Sequence, residues 1–171
     1  WSFSRQLQEN GGILTNVLTA EGNLTSYLDR TDSTGAYTSR ITDPSGGETV
    51  ITLSADELTE TRSLPCGMTH FFRYGIDSQY KFKYIKEMRE RTPSNLEKVT
   101  LWEKTYQDTN SDGNPDHFTE RVRVNGKLTQ LVNDTLQRKK TTTTAQGRTT
   151  TSFYDPNNLL TTRFTIPGLY D

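Results

Sequence analysis

A glycine, or a residue standing in for one, returns along the first half of the chain every ten to thirteen residues. Each time an apolar residue follows, and often a threonine. The instances are Gly12-Ile13-Leu14-Thr15, Gly22-Asn23-Leu24-Thr25, Gly35-Ala36-Tyr37-Thr38, Gly46-Gly47-Glu48-Thr49 and Gly67-Met68-Thr69, with Asp56-Glu57-Leu58-Thr59 at the beat that lacks a glycine. Later come Gly126-Lys127-Leu128-Thr129, Gly147-Arg148-Thr149-Thr150 and Asn158-Leu159-Leu160-Thr161. A strand of about six residues and a turn of about four fill such a beat. Glycine supplies the positive φ that tight hairpins need, and Asn158 is expected to supply it in the last instance. A fixed period of strand and turn predicts a repeat architecture.

Between the turns the side chains alternate. Tyr37, Ser39 and Ile41 fall on one face of a strand and Thr38, Arg40 and Thr42 on the other. Phe118, Glu120, Val122 and Val124 oppose Thr119, Arg121 and Arg123 in the same way. The segments 140–144 and 149–153 read as a hairpin around Ala145-Gln146-Gly147-Arg148. Threonine, stiff at χ1 and suited to a half-exposed pleat, takes roughly one position in six. Alanine occurs only at Ala20, Ala36, Ala55 and Ala145, which leaves little material for helices. The segment from Tyr80 to Arg91 carries two signals. Its Lys, Glu and Arg favour helix, while Tyr80, Phe82, Tyr84 and Met88 alternate as a strand does, and the strand is the expectation. Thr92-Pro93-Ser94-Asn95 then ends it as a turn. The predicted fold class is all-β: an antiparallel meander of repeated β-hairpins forming a curved or spiralling sheet strip.

A hydrophobic fraction of 30% leans toward disorder, but a net charge of -1 and an aromatic fraction of 10% oppose it, since rings can supply a core. With 20 basic and 21 acidic side chains, the chain has no field to steer nucleic acid. No apolar run reaches membrane-spanning length. Cys66 is alone, so no internal disulfide can form. A start at Trp1 without a signal peptide is read as a processed chain or an excised fragment.

Several stretches resemble the Rhs/YD-repeat family, whose unit runs Tyr-Asp-x-x-Gly-x-Leu. They are Thr31-Asp32-Ser33-Thr34-Gly35, Thr42-Asp43-Pro44-Ser45-Gly46, Ala145-Gln146-Gly147-Arg148 and Phe153-Tyr154-Asp155-Pro156-Asn157-Asn158-Leu159-Leu160-Thr161. Leu64-Pro65-Cys66-Gly67 and Ile166-Pro167-Gly168-Leu169 look like the turns that link such units. Tyr154-Asp155 carries the dipeptide in register, with Asn158 in place of the glycine; Tyr170-Asp171 repeats it off the expected spacing. The chain is expected to divide into regular repeats over 1–75, an irregular strand insert over 76–107, a loop over 108–116 whose own motif is of calcium type, and repeats over 117–171. The resemblance implies a spiralling β strip that, in complete members, closes into a shell around a toxic C-terminal domain; relatives act in contact at cell surfaces. It therefore implies a structural, non-enzymatic segment, extracellular or at the cell surface. The expected partners are the remaining repeats of the parent chain or a self-associating copy, and an enclosed C-terminal toxin domain, with no nucleic acid and no membrane span.

The sharpest local motif is Asp108-Thr109-Asn110-Ser111-Asp112-Gly113-Asn114-Pro115-Asp116, which has the D-x-N-x-D-G-x-x-D spacing of calcium loops. Asp108, Asn110 and Asp112 converge where Gly113 turns the chain, Asn114 offers a carbonyl, and Asp116 binds from the ninth position. The carboxylate at the twelfth position of an EF-hand is replaced by Thr119, and the flanks read as strands. The expectation is one structural calcium ion between two β-strands; a solvated acidic turn is the alternative. His70 and His117 are the only histidines, and Cys66 has no base beside it in sequence, so nucleophilic catalysis is a poor fit. Arg62, Arg73, Lys81, Lys83, Lys86, Arg89 and Arg91 interleave with Tyr74, Tyr80, Phe82 and Tyr84, as in single-stranded nucleic-acid platforms. Glu87 and Glu90 dilute them, and a charged strand face is the expectation. Asn23-Leu24-Thr25 and Asn133-Asp134-Thr135 match the glycosylation sequon, which a bacterial origin would void. The alternative function is an adhesin or carbohydrate-binding β-sandwich that stacks sugars on Trp1, Trp102 or tyrosines.

Overall fold

The computed structural model of the chain describes residues 1–9 and 11–168. Leu169 and the Tyr170-Asp171 dipeptide lie outside the described residues. The described residues form fourteen strands and no helix. The strands join one sheet in the order in which they follow one another in the chain, so the fold is an all-β antiparallel meander. The chain divides into two compact units, Trp1–Gly75 with Glu87–Lys98, and Ile76–Lys86 with Val99–Asp171.

The first unit holds β1 (Ser2–Leu7), β2 (Ile13–Leu18), β3 (Leu24–Thr31), β4 (Tyr37–Thr42), β5 (Glu48–Leu53), β6 (Thr59–Ser63), nearly all of β7 (Thr69–Ile76) and the second half of β8 (Lys83–Arg91). Strands β2 to β7 begin ten to thirteen residues apart, which is the glycine beat. The turns explain the period. At Thr19, Asp32, Asp43 and Leu64 the backbone N–H donates to the carbonyl four residues on, and the carbonyl accepts from a glycine N–H three residues on. This is a three-residue hairpin loop with its last residue left-handed. Gly67 shows why that residue is glycine: its φ is +80°, and an added Cβ would meet Pro93 Cγ at 3.1 Å. At the beat without a glycine, Glu57 itself takes a φ of 57°.

The strands of this unit bury their rings against neighbouring strands. Tyr27 lies opposite Ile41, and Tyr37 opposite Leu53. Phe72 stacks on Tyr74 at 6.4 Å. Tyr37 donates its hydroxyl to Asp29 at 2.7 Å, and Tyr74 donates to Glu60 at 2.9 Å. All are half-buried, and among the described residues no hydrophobic side chain is fully buried. Cohesion therefore comes from the hydrogen-bond ladder and from cross-strand pairs worth roughly 0.2–1 kcal/mol each.

The second unit holds the first half of β8, most of β9 (Glu97–Gln107), and β10 (His117–Val124), β11 (Lys127–Asp134), β12 (Lys139–Thr143), β13 (Thr149–Tyr154) and β14 (Thr161–Thr165). The stretch expected to be strand from Tyr80 is strand only from Lys83; Tyr80 and Phe82 belong to the connection that Asp77 organises. On one face Tyr106 stacks on Phe118 at 5.2 Å, and Tyr80 meets Tyr106 edge-on at 5.5 Å. The other face takes up part of the threonine. Thr105, Thr119, Val132, Thr141, Thr151 and Thr165 form one row in register from β9 to β14. Each is β-branched, which suits it to a pleated, half-exposed surface. In the last hairpin Leu159, with φ 59°, takes the left-handed position expected of Asn158. The Asn158 side chain is used otherwise: its Oδ1 accepts the Leu160 N–H at 2.9 Å.

Candidate functional site

The loop from Asp108 to Asp116 closes the β9–β10 hairpin, whose last pair is Gln107 opposite His117. The Asp116 N–H donates to the Gln107 carbonyl at 3.0 Å and shuts its base. Inside, acidic and amide oxygens collect backbone N–H groups. Asp108 Oδ2 accepts from Gly113 at 2.8 Å and its Oδ1 from Asp112 at 3.3 Å. Asn110 Oδ1 accepts from Asp112 at 3.1 Å, and Asp112 Oδ1 accepts from Asn114 at 2.8 Å. Asn110 Nδ2 donates to Asp112 Oδ2 at 3.1 Å. Gly113 has a φ of 88° and Ser111 one of 60°, which lets the chain reverse twice within the loop.

Asp116 is different. It is buried, and its Oδ2 accepts from the Thr109 hydroxyl at 2.6 Å, the Thr109 N–H at 2.9 Å and the Asn110 N–H at 3.2 Å. The Thr109 hydroxyl leads in holding this carboxyl below the usual range. Its other oxygen, Oδ1, is buried with no hydrogen-bond partner. The imidazole of His117 stands between two carboxylates, with Nε2 3.8 Å from Asp116 Oδ1 and Nδ1 3.9 Å from Asp134 Oδ2.

Asp108, Asn110, Asp112 and Asn114 are thus joined in one network, and Asp116 braces its entrance. Among the described residues no three His, Cys, Asp or Glu side chains gather closely enough to share an ion. The donor set nevertheless suits a hard cation. Each carboxylate oxygen has two lone pairs and those of Asp108 accept a single hydrogen bond each, while Asp116 Oδ1 is an orphaned buried acceptor. Cys66 lies exposed in the turn from Leu64 to Met68, and His70 sits on β7 edge-on to Phe72.

The basic stretch is dispersed by the fold. Arg62 pairs with Glu60 and covers the Phe72 ring at 5.2 Å. Lys104 stands over Phe82 at 5.0 Å and over Tyr84 at 5.2 Å. Arg73 and Arg89 converge instead on Glu87, which is buried. The Arg89 hydrogen bond is the largest influence that holds Glu87 below the usual carboxylate range. A second buried acid, Asp77, accepts the Tyr106 hydroxyl at 2.6 Å, the Tyr80 N–H at 2.8 Å and the Gln79 N–H at 3.0 Å. Sequence reasoning missed Asp77 and took Glu87 only as a diluting charge. Glu87 does lie between Lys86 and Met88 with Arg89 beyond, but Asp77, between Ile76 and Ser78, carries no such local signal.

No protein-family model matches the chain, and no curated protein is significantly similar to it.

Proposed function

We propose that the chain is a structural β-repeat segment of a large secreted or surface-exposed Rhs/YD-repeat protein, a piece of shell or surface scaffold, with calcium stabilising the loop from Asp108 to Asp116. The observation that carries this reading is the linear strand order with no buried hydrophobic side chain among the described residues. Such a meander is extended by adding hairpins and has nowhere in it a closed core. The single sheet also favours this reading over a carbohydrate-binding sandwich, which needs two sheets face to face. Trp102, one of the expected sugar platforms, is half-buried on β9, while Trp1 is exposed.

When bound, calcium would neutralise the loop's carboxylates. Asp108, Asn110, Asp112 and Asp116 would hold it through side-chain oxygens and Asn114 through its carbonyl. The chain's own part is to pre-form the loop, since Gly113 and the N–H groups of Asp112 and Asn114 already fix the side chains. Thermal melts test this. Calcium chloride raises the midpoint of the wild type and magnesium chloride raises it less; Asp108→Ala combined with Asp112→Ala abolishes the rise. A wild-type midpoint indifferent to calcium removes the ion. The scaffold reading is tested separately, by the adjoining reading frame of the source gene, which should carry further strand–turn units with the same beat.

A further inference from the structure

Glu87, on β8, is 4% exposed, and arginine holds both its oxygens: Arg89 Nε lies 2.6 Å from Oε1 and Arg73 Nη2 lies 2.5 Å from Oε2. Phe71 and Arg73 are two residues apart on β7, as Glu87 and Arg89 are on β8, so each pair lies on one face of its strand. These four side chains line a groove of about 440 Å³. Thr59 and Thr61 stand opposite Arg73 and Phe71 in register and bring hydroxyls to the same face.

The groove holds more arginine than its carboxylate requires. One guanidinium satisfies a carboxylate alone through two parallel N–H bonds. Glu87 has two, each with a side chain 49% exposed, so two positive charges and one negative leave a surplus of one. Among the described residues neither arginine has another carboxylate within ion-pair distance, and Glu97 acts on Arg89 only through space. A guanidinium has about five N–H donors, so most of both forks remain for a further acceptor. Glu87 meanwhile fixes both forks in place, which lowers the ordering cost of binding.

We propose that this groove binds an oxyanion carried on a ring, the carboxylate or sulfate of an acidic sugar, with the anion between Arg73 and Arg89 and the ring against Phe71. The planar fork matches two anionic oxygens, and the Phe71 side chain gives the C–H face of a sugar ring its contact. The reading is independent of the calcium loop.

Nitrogen-15 NMR of the arginine Nε–H signals tests it, with D-glucuronate, inorganic sulfate and glucose as probes. Glucuronate is expected to shift Arg73 and Arg89 saturably and to perturb the Phe71 ring; sulfate shifts the arginines alone, and glucose shifts nothing. Arg89→Lys, which keeps the charge but loses the fork, weakens glucuronate binding about tenfold. No saturable shift at either arginine overturns the proposal, as does equal affinity in Arg89→Lys and the wild type. Sulfate binding without glucuronate binding overturns the ring contact.

Discussion

In the first unit Asp32, exposed, and Asp43, half-buried, stand at the heads of their turns. Each caps the following hydroxyl and N–H groups: Thr34 and Ala36 for Asp32, Ser45 and Gly47 for Asp43. In the second unit Asp77 and Asp116 make the same kinds of bond but are buried at the roots of their loops. A short glycine turn is fixed by its own backbone, so its aspartate trims a geometry already set. The connections after Ile76 and Gln107 lack that geometry, and a buried carboxylate supplies their fixed point. The same residue type is therefore ornamental in one unit and structural in the other.

The widest separation between the two cases is expected from Asp77→Ala. It strands the Tyr106 hydroxyl and two N–H groups, at a cost of about 3 kcal/mol. Asp43→Ala, by urea unfolding under the same conditions, should cost only a small fraction of that; equal losses would erase the contrast. The pH dependence sharpens it. Burial pushes the Asp77 carboxyl up, but the Tyr106 hydroxyl and the Tyr80 and Gln79 N–H groups outweigh it and hold the group below its ordinary 3.8. Its stability is therefore present above about pH 4 and is lost as the pH falls further. On the alkaline side, burial and then the bond to Asp77 push the Tyr106 hydroxyl above its ordinary value of 10.0. That share is complete below about pH 10 and declines as the pH rises. Asp77→Asn should flatten the acid limb of a stability–pH curve.

A smaller effect tests the turn side. Gly67→Ala places a Cβ in a left-handed residue and against Pro93, and should cost about 1–2 kcal/mol by urea midpoint. The smallest effect has the opposite sign. Leu159 holds a φ of 59° and is 69% exposed, so Leu159→Gly should stabilise by about 0.5 kcal/mol. A loss there would mean that the Leu159 side chain makes a contact the turn needs.

These same residues show where sequence reading succeeds. The glycine beat was legible because a left-handed hairpin residue is a local demand, met within five residues of chain. Strand type and phase followed from it, and so did the flanks of the loop at Asp108. Leu159 was misassigned because the loop from Asp155 runs one residue longer than a glycine turn, with the Leu159 N–H donating to the Asp155 carbonyl at 2.8 Å. That extra residue moves the left-handed position past Asn158. Asp77 could not be found because its partner, Tyr106, lies 29 positions away. The convergence of Arg73 and Arg89 on Glu87 depends in the same way on how β7 lies beside β8, which composition does not encode.

The lack of a fully buried apolar side chain among the described residues has a thermal consequence. The heat-capacity change of unfolding scales with the apolar surface newly wetted, at about 12–15 cal/mol/K per residue in ordinary domains. Among the described residues no apolar side chain is fully buried, so calorimetry should return a smaller value. The stability of the chain should then vary gently with temperature, with a shallow dome and a remote cold limit.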